Sequence, residues 1–363
     1  MSEPAIAPSF REEFPVFERF AYLNAGTEGP VPQAAEDAVR ARVHLDLTEG
    51  RVGKAYFEEV LELASLARTG YATAMGAEAT EVALTNSTTY GVNTVLAGLR
   101  LAAGDEIVTS DQEHPGVLVP LRRAQAAHGV KVRVVPFAEL PGEVTPRTRL
   151  VACSHVSWVG GEIMDVAALR ATGVPVLLDA AQALGAIPVD VHELGVDFYA
   201  GSGQKWMCGP EGSGALYVRP DRLDEIEPPF PGYMTVADHD NPLGSALAEG
   251  TDRLDDGFPS AVRSTWALAS MAVLSAAGWA WVHERAAAAA EQLAELLLER
   301  GHVVAPRGRS TLVSWQAEDP DGEVNRLLAE GIIVRSIPSA RLVRASVGAW
   351  TNEEEIVRLA HLA

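Results

Sequence analysis

The chain has 363 residues, 47% hydrophobic and 21% charged, a globular composition whose length predicts two domains. Its formal net charge of -20, with no Lys/Arg cluster to reverse it locally, disfavours nucleic acid and anionic membrane surfaces as partners. The only two cysteines, Cys153 and Cys208, exclude a disulfide framework and a four-cysteine zinc site, and no metal centre is expected.

Met1 to Phe14 mixes Glu, Arg and Pro and has no apolar core of signal-peptide length. No stretch approaches the roughly 18 uninterrupted apolar residues of a membrane span, so a soluble, reducing, cytoplasmic location is expected. Pro32 to Leu47 reads as a helix, with Pro32 suited to the first turn. Phe57, Val60, Leu61, Ala64, Ala67 and Tyr71 recur at helical spacing, and Tyr90–Leu99 is a third helix. Short apolar runs then alternate with helical segments. Ile107–Thr109 is a strand, Val117–Ala127 a helix, Val132–Phe137 a strand and Leu150–His155 another. A short helix over Val166–Arg170 precedes the strand Val176–Asp179, with Pro175 at its start, where a missing N–H costs least. Phe198–Ala200 and Ala215–Val218 complete the set. Such runs predict a mostly parallel sheet of the seven-stranded type, covered on both faces.

After Phe230 the chain turns Pro/Gly/Asp-rich as far as Pro259. A long helix over Ala277–Arg300 follows, stopped by Gly301. Thr311–Trp315, Ile332–Ile337 and Leu342–Ser346 read as strands, and Asn352–His361 as a final helix. The expectation is a large α/β domain over residues 17–257 and a smaller α+β domain over 258–363, with residues 1–16 packed on the smaller one.

In open parallel sheets ligands bind beyond the carboxyl ends of the strands. Thr85-Asn86-Ser87-Thr88-Thr89 lies just before a helix. Hydroxyls there are ordinarily N-caps, and they also build an anion site with the free N–H groups of the first turn. Asp179 ends an apolar run, and a buried carboxylate requires a partner. It is either a helix cap or ion-pair member, or a carboxylate held against a cofactor ring. Lys205 stands 26 residues further on, between Gly203-Gln204 and Trp206. Desolvation there would supply a neutral amine. Arg344 lies inside the apolar strand Leu342–Ser346 and calls for a carboxylate or phosphate partner, structural or substrate.

The segment Leu177–Pro220 resembles the core of the class V aminotransferase and cysteine desulfurase family of pyridoxal-phosphate enzymes. The likeness extends through Tyr22–Thr27, Thr85–Asn93, Glu113-His114, Ser154–Ser157, Val343–Ser346 and Thr351–Glu353. It implies fold type I, pyridoxal 5'-phosphate as cofactor and a homodimer with shared active sites. By this resemblance Lys205 carries the cofactor as a Schiff base and then moves the substrate proton. Asp179 pairs with the ring nitrogen and Gln182 contacts the phenolic oxygen. His114 stacks on the ring. Thr88, Thr89, Ser202 and Gln204 serve the phosphate, as does Thr251 from the partner chain. Arg344 takes the substrate carboxylate, and Asn24, Ala25, Gly26 and Thr27 line the entrance.

Three departures shape the functional expectation. Ser336–Arg341 is short and lacks the loop cysteine of desulfurases, so persulfide-forming desulfuration is not expected. Gln204 replaces the histidine usual before the lysine and cannot titrate. Trp158 stands where many relatives carry asparagine, placing an indole edge in the substrate pocket or merely in the packing. The substrate is an amino acid. Transamination is the first expectation, a carbon–sulfur lyase the second and epimerisation of the isopenicillin-N-epimerase kind the third. A non-catalytic binding protein would have no reason to hold Lys205, Asp179 and Arg344 together.

Overall fold

The computed structural model describes residues 8–363. The expectation for residues 1–7 lies outside them. The described chain opens with helix α1 (Pro8–Glu12), a two-residue strand β1 (Ala21–Tyr22) and two long helices, α2 (Gln33–Thr48) and α3 (Gly53–Met75). There follow β2 (Val82–Thr85), α4 (Thr88–Gly98), β3 (Glu106–Ser110), α5 (Pro115–His128), β4 (Lys131–Val135) and β5 (Thr148–Ser154). Next come α6 (Val166–Ala171), β6 (Val176–Asp179), α7 (Val191–Leu194), β7 (Phe198–Ser202) and β8 (Gly214–Val218). The chain ends with α8 (Ala261–Ala277), α9 (Trp279–Glu299), β9 (Leu312–Gln316), α10 (Pro320–Ala329), β10 (Ile332–Ile333), β11 (Arg335–Ile337), β12 (Leu342–Ser346) and α11 (Glu353–Leu362).

Seven strands form one sheet in the order β2-β8-β7-β6-β5-β3-β4. Pairing is parallel from β7 to β4, and β8 runs antiparallel to both β7 and β2. The carboxyl ends of β2, β3, β5, β6 and β7 therefore lie along one edge. Valine, leucine and isoleucine on both faces explain why these strands bury every residue of β2, β3, β6, β7 and β8. Two apolar clusters, one containing Leu178 and Tyr199 and the other Leu177, Phe198 and Ala200, cover the alternating side chains. A three-stranded sheet, β11-β12-β9, has its own core around Trp315, Val343 and Ile356. Arg11 donates to both carboxylate oxygens of Glu355, at 3.0 and 2.7 Å, joining the start of the chain to α11.

Three elements differ from the sequence expectation, two for a local reason and one because of distant pairing. Helix α4 starts at Thr88 because the Ser87 hydroxyl caps it by accepting from Tyr90 N at 3.1 Å. Thr88 and Thr89 therefore belong to its first turn. The expected helix Ala277–Arg300 starts after Gly278, at φ +87°, which separates α9 from the unanticipated α8 at an 80° bend. The expected strand Ile332–Ile337 is two pieces. β10 pairs parallel with β1, and β11 pairs antiparallel with β12. Among the described residues no single helix is long and apolar enough to cross a membrane.

Candidate active site

The sheet's carboxyl edge gathers most of the expected residues. Asp179 ends β6, where it is buried, and its Oδ1 accepts from Ala181 N at 2.8 Å. Burial pushes its carboxyl above the usual range, while Lys205 and the Ala181 N–H pull it back. Lys205 follows β7 and has a pKa lowered to about 8, first by burial and then by Arg344 and Arg335, against the opposing pull of Asp179. A half-neutral amine near pH 8 beside a buried carboxylate is equipped for nucleophilic and proton-transfer chemistry.

Hydroxyls cluster where β2 gives way to α4. Thr88 Oγ1, Ser202 Oγ and Gln204 Oε1 are buried and have no hydrogen-bond partner among the described residues. Ser202 on β7 and Thr85 on β2 are the register partners of Gly214 on either side of β8, so the carboxyl ends of β7 and β2 flank the start of that strand. Buried orphan hydroxyls at a helix N-terminus suit an anion. Thr89 is in the same turn; its carbonyl accepts from Asn93 Nδ2 at 2.9 Å.

Gln182 is buried, donates to the Gly26 carbonyl at 2.8 Å and accepts from Trp206 Nε1 at 3.1 Å. One amide N–H remains for another acceptor. His114 caps α5, its Nδ1 accepting from Gly116 N at 3.0 Å. Its pKa is lowered to about 4, by burial first and then by Lys205, Arg335 and Arg344. The imidazole is therefore neutral at ordinary pH. Its ring meets that of Trp158 edge-on at 5.2 Å.

Arg344 is fully buried in β12. Its Nη1 donates to the Trp158 carbonyl at 2.6 Å, while Nε and Nη2 have no partner among the described residues. Burial and the neighbouring Arg335 lower its pKa to about 9. The loop Asn24–Thr27 packs against it. A Cβ on Gly26 would stand 2.7 Å from Ser346 Oγ, 2.8 Å from Gln182 Oε1 and 3.1 Å from Arg344 Nη2, so any larger residue would displace these side-chain ends. Ala25 is buried beside it, and Asn24 Oδ1 accepts from Thr27 Oγ1 at 2.8 Å.

Two functional candidates escaped sequence reasoning. Arg335 donates to Thr27 Oγ1 at 3.2 Å, and its guanidinium carbon lies 5.8 Å from the Trp158 ring centroid. It acts electrostatically on Lys205, His114 and Arg344. Among the described residues neither arginine has a carboxylate within 4 Å. The available signal was the same one that marked Arg344, an arginine between apolar strand residues, but it was absorbed into the single expected strand Ile332–Ile337. Glu113 is the other candidate, buried with a pKa raised to about 7. Thr251 was expected to serve the partner chain's site, not this one. Within its own chain it is buried, and its hydroxyl donates to the Thr80 carbonyl. Cys153 and Cys208 are both buried, and neither lies in the stretch 336–341.

Comparison with known proteins follows this geometry. The family model described as Aminotransferase class-V matches residues 32–359. The chain is 35% identical to isopenicillin N epimerase of Streptomyces clavuligerus over 247 residues, covering 64% of this chain and 60% of the epimerase. It is 33% identical to a cysteine desulfurase of Klebsiella pneumoniae (strain 342) over 279 residues, covering 69% of this chain and 67% of the other. The match thus spans less than two thirds of the epimerase's length. The fold superimposes on a mutant of C-DES carrying glycine covalently linked to its PLP cofactor, with TM-score 0.91, 28% identity, and coverage of 97% of this chain and 98% of that one. For the complex between the cystine C-S lyase C-DES and its reaction product, cysteine persulfide, the values are 0.90, 28%, 96% and 98%.

Proposed function

The chain belongs to the aminotransferase class-V family and uses pyridoxal phosphate, and from that footing we propose that it is a carbon–sulfur lyase acting on a sulfur-containing amino acid with two carboxylates, of the cystine type. The observation that carries this reading is the pair Arg335 and Arg344. Both act on Lys205, and neither is neutralised by a carboxylate of the described chain. Two unneutralised guanidinium groups on one wall suit a ligand with two separated carboxylates. The likeness to a cystine C-S lyase and the absence of cysteine from residues 336–341 support the same reading.

The residues present fit the cofactor. The orphan hydroxyls of Thr88 and Ser202, with Gln204 and Thr89, would hold its phosphate. Asp179 would keep a proton on the ring nitrogen, Gln182 would donate to the phenolic oxygen, and neutral His114 would lie against the ring. Bound there, the cofactor supplies an electron sink that acidifies the substrate Cα–H. Arg344 would hold the α-carboxylate and Arg335 the distal one, fixing Cα near Lys205. The Lys205 amine would take the Cα proton. The Cβ–S bond would then break with its electron pair on sulfur, releasing a persulfide, and the three-carbon remainder would hydrolyse to pyruvate and ammonia. A homodimer, with the Thr251 segment of each chain serving the other's phosphate, belongs to the same proposal.

Transamination, the first expectation from the sequence, uses the same groups, and an aspartate- or glutamate-like donor also carries two carboxylates. Incubation of the holoenzyme with cystine, without and with a keto acid, separates the two. Pyruvate, ammonia and persulfide formed without acceptor support the lyase. Amino transfer that depends on the keto acid, with no pyruvate in its absence, overturns it.

A further inference from the structure

Glu113 is 4% exposed, yet its carboxylate is fully engaged. Oε1 accepts from Ser110 Oγ at 2.6 Å and from Ser154 N at 2.9 Å, and Oε2 accepts from Ser154 Oγ at 2.6 Å. Ser110 ends β3 and Ser154 ends β5, two neighbouring strands, so one side chain clasps both carboxyl ends. Ser154 is in turn the register partner of Asp179 on β6. The residue after Glu113 is His114, the cap of α5. The clasp therefore touches, through one residue on each side, both groups assigned above to the cofactor ring.

We infer that Glu113 is a positioning residue for the cofactor, fixing the His114 imidazole against the ring and opposing, by its own charge, the charge of Asp179. This rests on the reading of the site given above. Three hydrogen bonds to one buried carboxylate leave it a single rotamer, and that fixes the backbone leading into His114. The titratable groups around it are Asp179 from β6 and the Cys153 thiol from β5. Ser110, from β3, contributes no charge. Above about pH 7, where Glu113 is negative, a second negative charge on Asp179 is less favourable, so the proton affinity of Asp179 would respond to it.

The test compares the parent with Glu113→Gln and Glu113→Ala. It reads the dissociation constant for pyridoxal phosphate from apo protein, the pH dependence of the holoenzyme's visible spectrum, and the apo melting temperature. Glu113→Ala is expected to weaken cofactor binding about tenfold, the worth of one charge-assisted hydrogen bond. Glu113→Gln keeps shape and removes charge. It is expected to bind within about threefold of the parent and to displace the midpoint of the spectral titration. If the alanine variant fails to fold, the glutamine variant carries the test alone. A glutamine variant with an unmoved spectral midpoint overturns the inference, whereas a parent that binds no cofactor overturns the site reading as well.

Discussion

Arg335 and Arg344 are direct cross-strand partners in the β11–β12 ladder, and Arg344 is completely buried. Like charges directly opposite each other destabilise a sheet, and burial of an unpaired guanidinium adds to that. A structural role leaves this arrangement unexplained, whereas a bound dianion neutralises it.

Arg335→Ala is therefore expected to raise KM for a two-carboxylate amino acid by about tenfold to a hundredfold, as for loss of a charge-assisted hydrogen bond, with little change in kcat. Activity towards a monocarboxylic analogue should stay near the parent's, and the melting temperature should hold or rise. Steady-state kinetics on the two substrates decide it. Equal loss towards both would show that Arg335 does not read the second carboxylate.

In cofactor-free protein the Lys205 amine is held at about 8, by burial first. The neutral, nucleophilic form then dominates above that pH. The rate at which apo protein captures pyridoxal phosphate should climb with pH and level off near 8, whereas a model peptide lysine continues to climb towards its higher ordinary pKa. Stopped-flow absorbance measures this. Lys205→Arg should abolish the borohydride-stable pyridoxyl label, and a label found on another lysine would refute the assignment.

Glu113 makes stability depend on pH with a definite sign. Its folded pKa, about 7, lies above the ordinary value of 4.5 because burial outweighs its hydrogen bonds. The folded state then holds more protons, so this contribution is complete below about 4.5 and is lost as pH rises through 7. Denaturant unfolding of apo protein should show stability falling between pH 5 and pH 8 by up to roughly 3 kcal/mol. Glu113→Gln should flatten that slope, and an unchanged slope would count against it.

Gly26→Ala places a methyl group within 3.1 Å of Ser346 Oγ, Gln182 Oε1 and Arg344 Nη2. Overpacking of this kind costs about 1–3 kcal/mol. Because the clash falls on the arginine wall and Gln182, and not on the hydroxyls of Thr88 and Ser202, substrate KM should rise about tenfold while phosphate affinity of the apo protein stays close to the parent's. Isothermal titration with inorganic phosphate and kinetics with substrate separate the two effects.

Much of the molecule was legible beforehand because the signals are local. Alternating apolar runs and helical spacings foretell a parallel sheet wrapped by helices. A carboxylate ending Val176–Asp179 and a lysine just beyond Phe198–Ser202 mark strand ends without reference to anything distant. The family and its cofactor follow from that same stretch. Breaks set by one residue, such as the turn at Gly278, were less visible, since a glycine inside an apolar run does not announce its φ. What only the tertiary structure decided is pairing. Whether Ile332–Ile337 is one strand or two depends on β1 and β12, more than 300 residues apart in the chain. The Ser110–Glu113–Ser154 clasp and the opposition of Arg335 to Arg344 arise from the packing and register of separate segments. Sequence specifies the periodicity of each segment, but cross-strand neighbours are set by which edges meet and in what alignment, a choice made by long-range burial.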